Sequence, residues 1–195
     1  YQWGTLTSTA DQTVGLQSTT TIQGQGSGLV NKGTMSFSGN DSKGISVGDY
    51  SGAVNDAPAS MSFVGENNVA MEAGDFAGAF NYGSLVLQGD GSTGIRIGDG
   101  SGPDNPSQIN NVISPEPNAQ EPRPEVSGEN AVGAQIGQFG IIRNQGELLV
   151  TGAGSTGIRT GADSVVSSNG AGAEIRVSGA GSIGLDLAGR NEEVG

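Results

Sequence analysis

Residues 81–99, NYGSLVLQGDGSTGIRIGD, decide how the rest of the chain is read. Fifty residues earlier, residues 31–49 read NKGTMSFSGNDSKGISVGD, and sixty-three residues later, residues 144–162 read NQGELLVTGAGSTGIRTGA. The three copies share the frame N-x-G-x-Φ-x-Φ-x-G-x-x-S-x-G-Φ, where Φ is mostly apolar. A frame that recurs at this scale marks a unit that cannot bury its apolar face alone and must stack on a neighbour.

Outward from these copies, glycine markers keep a common rhythm. Gly39, Gly65, Gly89, Gly128, Gly152 and Gly179 are separated by 26, 24, 39, 24 and 27 residues, and Gly48, Gly74, Gly98, Gly137 and Gly161 by 26, 24, 39 and 24. Asparagines give a third series: Asn31, Asn55, Asn81, Asn105, Asn144 and Asn169. One repeat is therefore about 25 residues, and the chain holds about seven.

Each repeat contains three short apolar segments. Alternation with period two places Met35 and Phe37, Leu85 and Leu87, Leu148 and Val150, and Ile175 and Val177 on one side of their strands, facing inward. Between them lie GNDSKG, GDGSTG and GAGSTG, whose Gly, Asn and Asp tolerate the positive φ of tight corners. No apolar set at i, i+3, i+4 persists long enough for a helix. Three strands and three corners per repeat describe an all-β fold, a three-strand-per-turn parallel β-helix forming one domain over residues 1–195.

Two stretches depart from the rhythm. Residues 1–23 form a degenerate first turn, in which Gly4, Leu6, Gly15 and Leu16 precede Gly33, Met35, Gly44 and Ile45 by 29 residues. Its Thr-rich part, residues 5–22, is an expected joining surface that orders only when a neighbour supplies a partner strand. The 39-residue interval holds an insertion with Pro103, Pro106, Pro115, Pro117, Pro122 and Pro124. Proline removes a ladder donor, so residues 103–124 are expected to form a surface loop away from any central strand position.

Composition narrows the chemistry. With neither Cys nor His in 195 residues, there is no disulfide framework, no thiolate metal site and no imidazole base. Eight Lys and Arg against twenty Asp and Glu, a net charge of −12, argue against nucleic-acid partners and anionic lipid. No apolar run reaches the roughly 20 residues of a membrane helix, so no direct membrane insertion is expected.

The repeating Asn series is expected to form an amide ladder. Ser42, Ser92, Ser155 and Ser182 lie in corners and, with no His to activate them, are assigned corner hydrogen bonds. Asp49, Asp75 and Asp99 share one corner of successive repeats, and Asp41 and Asp90 another. Carboxylates stacked at about 4.8 Å repel, and calcium would relieve this with oxygen ligands, which makes Asp49, Asp75 and Asp99 candidate calcium ligands. No other cofactor is expected and no catalytic residue is assigned. Arg96 and Arg159 occupy equivalent positions, with Asp186 in the last copy. The lone Trp3 and the scattered Tyr1, Tyr50 and Tyr82 offer no aromatic platform beside paired carboxylates, as a sugar-cleaving site would.

The segments VNKGTMSFSGNDSKGI, FNYGSLVLQGDGSTGI and IRNQGELLVTGAGSTGI resemble the repeats of autotransporter-type passenger domains of Gram-negative bacteria, over residues 24–189. The resemblance implies a right-handed parallel β-helix exposed at the cell surface or outside the cell. Such passengers serve as adhesins, stalks, biofilm components and carriers of enzyme domains, and the reading taken here is a non-enzymatic stalk, adhesin or biofilm matrix fibre. The family's membrane-spanning barrel has no counterpart in these residues. The expected partners are copies of the chain stacked end to end, or a host or neighbouring-cell surface. The alternative class is a carbohydrate-processing β-helix of the lyase or hydrolase type.

Overall fold

In the computed structural model, which describes residues 1–19, 26–112, 122–170 and 172–189, twenty strands form three parallel sheets and no helix. The sheets are the walls of a right-handed β-solenoid of about six turns with about 26 residues per turn. The first wall consists of Thr5–Ser8, Thr34–Phe37, Ser60–Phe63, Ser84–Leu87, Arg123–Val126, Glu147–Val150 and Glu174–Val177. The second consists of Val14–Ser18, Lys43–Val47, Val69–Ala73, Thr93–Ile97, Val132–Ile136, Thr156–Thr160 and Ile183–Leu187. The third has six strands: Gly28–Asn31, Gly52–Asn55, Gly78–Asn81, Ser107–Asn111, Gly140–Asn144 and Val165–Ser168. The expected seven repeats of about 25 residues thus become six turns and a partial seventh that has no third-wall strand among the described residues. The 39-residue interval lengthens the mean.

Alternation works as the sequence implies. Met35, Phe37, Leu85, Leu87, Leu148 and Val150 are all at most 3% exposed and belong to one continuous core. Burial of each such side chain contributes about 1.5–3 kcal/mol, which is how a chain with a modest apolar fraction holds a thin core. The first turn is in register with the second: Leu6 pairs with Met35 and Leu16 with Ile45. The expectation that residues 5–22 await a partner strand is corrected here. Thr5–Ser8 and Val14–Ser18 already have one neighbour each within the chain; residues 20–22 lie outside the described residues.

The insertion also needs correction. Ser107–Asn111 is a third-wall strand and Arg123–Val126 a first-wall strand, so the expected loop over residues 103–124 is two separate expansions. Thirty residues separate Asn81 from Asn111 and 33 separate Asn111 from Asn144, against 24 from Asn31 to Asn55. One corner therefore gains six residues and the next gains nine, the latter mostly residues 113–121, outside the described residues. Pro124 is buried in the first wall opposite Leu85, a central position the sequence reading denied to it. It fits because pairing with the following strand starts only at Glu125 opposite Leu149, so no ladder donor is demanded of the proline on that side.

Candidate functional site

Three corners join the walls, and each is held by side chains that reach from one turn to the next. At the corner between the third and first walls, Asn31 Nδ2 donates to Asn55 Oδ1 at 2.9 Å, Asn55 to Asn81 at 2.9 Å, Asn81 to Asn111 at 2.8 Å and Asn111 to Asn144 at 2.7 Å. All five residues are at most 5% exposed. The amide ladder exists, but its fourth rail is Asn111, not Asn105. Asn105 lies in the expanded turn before the strand, where its amide N–H meets Gly102 O at 3.1 Å. Nor does Asn169 extend the ladder: Asn144 meets Ser168 there, with Oγ accepting from Nδ2 at 3.3 Å.

Between the first and second walls, serine hydroxyls cap the preceding turn. The N–H of Asn68 donates to Ser92 Oγ at 3.1 Å, that of Ala131 to Ser155 Oγ at 3.1 Å, that of Thr13 to Ser42 Oγ at 3.2 Å and that of Ser155 to Ser182 Oγ at 3.3 Å. Positive φ at this corner belongs to Gln12, Asp41, Asn67, Gly91, Asn130, Gly154 and Gly181, largely the residue types the sequence reading expects. The corner between the second and third walls differs. There Tyr50, Phe76 and Phe139 adopt φ of 56°, 54° and 50°, and Tyr50 stacks on Phe76 with centroids 4.8 Å apart. A bulky residue in this conformation is unusual, and for Tyr50 and Phe76 the ring stacking helps offset its cost.

Asp49, Asp75 and Asp99 precede this corner. Asp49 Oδ1 accepts the N–H of Asp75 at 3.0 Å, Asp75 Oδ1 that of Asp99 at 2.9 Å, and Asp99 Oδ1 that of Gln138 at 2.8 Å. Asp90 serves Glu129 likewise at 2.8 Å. The stacked negative charge that pointed to calcium is thus met by backbone donors, a charge-assisted arrangement. Among the described residues no three carboxylates converge as a metal site would. The calcium assignment of Asp49, Asp75 and Asp99 rests on the sequence alone.

Arg96 and Arg159 lie in one outward column of the second wall, separated by Gln135. Arg159 Nε holds Asp186 Oδ2 at 3.0 Å, and Arg96 Nη1 lies 3.8 Å from Glu72, which also receives Lys43. Each of these cations is engaged by a carboxylate of an adjoining turn, so the column forms an ion-pair face.

The features that carry most consequence lie at the two ends. On the last turn Ile183, Leu185 and Leu187 are 48%, 47% and 44% exposed, although the equivalent side chains of inner turns, such as Ile95 and Ile97, are at most 3% exposed. At the first turn Leu6 and Leu16 are only partly covered, and Trp3 and Tyr1 are exposed. The last-copy segment GSIGLDLAG announces these apolar residues; its alternation is the same as in the buried copies. Compared with protein-family models, curated proteins and solved structures, the chain matches none of them.

Proposed function

We propose that this chain is a non-enzymatic extracellular β-solenoid of the autotransporter-passenger kind, a stalk, adhesin or matrix-fibre subunit whose copies stack end to end. The carrying observation is the half-exposed apolar edge of the last turn, which repeats the register of every internal junction. Leu148 opposes Ile175 just as Leu6 opposes Met35, and Ile158 opposes Leu185 just as Leu16 opposes Ile45. A first turn placed on the last one would set Leu6 over Ile175, Leu16 over Leu185 and Val14 over Ile183. In that register Glu174, Arg176 and Asp186 would face Thr5, Thr7 and Gln17, so no like charges meet.

Such a contact is heterologous and does not close, so it propagates as a fibre. It also pairs the N–H and C=O groups of two open sheet edges. The test is negative-stain microscopy at rising protein concentration, for the parent chain and for Leu16→Lys and Leu185→Lys. Filaments that lengthen with concentration in the parent and are lost in both variants support the reading. Short discrete rods for all three proteins at every concentration would remove the stacking function.

A further inference from the structure

Arg96 and Arg159 stand at equivalent positions of the second wall, yet only Arg159 is hydrogen-bonded to its carboxylate. Both donate from Nη2 to the threonine three residues earlier, to Thr93 at 3.1 Å and to Thr156 at 3.2 Å. Arg159 Nε also donates to Asp186 Oδ2 of the following turn at 3.0 Å. For Arg96 the following turn supplies Gln135 instead. Glu72, on the preceding turn, lies 3.8 Å from Arg96 Nη1, beyond hydrogen-bond reach, and already accepts from Lys43 and Ser46. Among the described residues, Nε and Nη1 of Arg96 are therefore open donors. The cluster of Lys43, Glu72 and Arg96 also holds one positive charge in surplus, on a chain of net charge −12.

This guanidinium borders a groove of about 430 Å³ that runs over the second wall across turns three to five. The volume falls within the range of roughly 300–1,000 Å³ usual for small-molecule sites. The floor is bare backbone at Gly74, Gly98 and Gly137. Glycine is required there, because a Cβ at Gly98 or Gly137 would lie 2.1 or 2.0 Å from the capping carboxylate of the turn before. One bank is formed by Glu72, Arg96 and Gln135. The other is Asp99, whose Oδ1 accepts the N–H of Gln138 at 2.8 Å and whose Oδ2 has no partner among the described residues.

We propose that this groove binds a short zwitterionic peptide, its terminal carboxylate on Arg96 and Gln135 and its terminal ammonium on Asp99. A guanidinium presents paired N–H donors in a plane that matches a carboxylate, and the Gln135 amide adds N–H donors beside it. Arg96 and Asp99 are three residues apart in nearly extended chain, about 10 Å between their Cα atoms. A dipeptide spans about 7 Å, and the two side chains reaching in from the banks close the remainder. The glycine floor lets a peptide backbone approach closely. A free acid would meet the field of a strongly negative chain, whereas a zwitterion adds no net charge. The groove lies on inner turns, so it stands whether or not copies stack, and it goes beyond the proposed function by giving its adhesive side a ligand class.

Titration calorimetry and heteronuclear NMR on the full chain test it, with alanyl-alanine, its N-acetyl form, its C-terminal amide and glucuronic acid as probes. Alanyl-alanine is expected to bind and to shift the Arg96 Nε–H and Gln135 side-chain signals, and each blocked form to bind roughly tenfold or more weakly. Arg96→Gln should weaken the dipeptide by a similar factor while leaving the amide unchanged. Asp99→Asn, which keeps an Oδ1 acceptor for Gln138, should weaken the dipeptide while leaving the N-acetyl form unchanged. Arg159→Gln, at the equivalent position two turns on, should bind like the parent. Thermal melts establish that each variant is folded; should Arg96→Gln not fold, Gln135→Ala must weaken the dipeptide severalfold instead. No binding of alanyl-alanine, equal affinity for the blocked forms, binding that survives the groove variants, or a preference for glucuronic acid would each overturn the proposal. Filaments are scored separately, so dipeptide binding without filaments upholds the groove and defeats the stacking, and filaments without binding do the reverse.

Discussion

The core of turns two and three and the core of turns four to six fill the same cross-section in opposite ways. Between residues 34 and 81 the first wall carries Met35, Phe37, Met61 and Phe63, and the third wall answers with Ala53 and Ala79. From residue 84 onward the first wall has Leu85, Leu87, Pro124, Val126, Leu148 and Val150, and the third wall supplies Ile109 and Ile142. Bulk moves from one wall to the other along the rod. The repeat thus constrains the summed volume of a turn more tightly than the identity of any side chain, as close packing requires. Turn five shows the limit of this compensation. It has Pro124 where its neighbours have Leu, and Ala134 where its neighbours have Ile. A small cavity of about 10 Å³ remains, lined by Ile95, Ile109, Leu148 and Ile158 among others.

The comparison is tested most strongly at Phe63. Its ring stacks on Phe37 with centroids 5.2 Å apart, and it is fully buried. With Ala79 already the smallest partner across the core, nothing on the third wall can move in to fill the space, so Phe63→Ala should cost about 3–5 kcal/mol. Val126 occupies the same column two turns later, where the third wall is bulky, and Val126→Ala should cost roughly 2 kcal/mol. Denaturant melts followed by circular dichroism measure both. Equal losses would break the claim that the two regions distribute their volume differently.

A smaller and opposite effect is expected in turn five. Ala134 opposes Ile95 on one side and Ile158 on the other, and its methyl borders the cavity. Ala134→Val adds two carbons in a place that neighbouring turns fill with a larger residue. Burial at about 0.8 kcal/mol per carbon, reduced by imperfect fit, leaves a gain of about 1 kcal/mol. A loss of stability on the same melts would show that turn five is already full and that its small residues are matched elsewhere.

Much of this was legible from residues alone. The period, the inward set and the serine corners follow from alternation and from the glycine markers, because Gly89, Gly98, Gly128 and Gly137 all flank the corner and wall that neither expansion touches. The ladder asparagine was not, because six extra residues ahead of Ser107 move the third-wall strand away from the position a constant step assigns to Asn105. Pro124 misled for a related reason: proline's ban on central strands holds only where its N–H is demanded, and here it is not.

The smallest effect is expected on the outside of the first wall, where the comparison predicts nothing to be stored. In the last turn Glu174 Oε1 and Oε2 accept from Arg176 Nε and Nη2 at 3.1 and 2.9 Å. This hydrogen bond, and then the charge of Arg176, hold the Glu174 carboxyl below its usual range, and the same partner raises Arg176. Register also sets Glu174 opposite Glu147, so Arg176 offsets a like-charge neighbour as well. A depressed carboxyl adds stability at pH values above the ordinary carboxylate range and loses it as pH falls through the lowered value. Both side chains are more than half exposed, however, and sit two residues apart in one strand, so solvent screens the pair and the unfolded chain can form it too. Arg176→Gln should therefore return the Glu174 titration, followed by carboxyl NMR, to the ordinary range while leaving the thermal midpoint unchanged within error at pH 7 and at pH 3. A midpoint that dropped at pH 7 but not at pH 3 would mean that the outer face of this wall carries stability of its own, and the contrast between the two halves of the rod could no longer be assigned to the core.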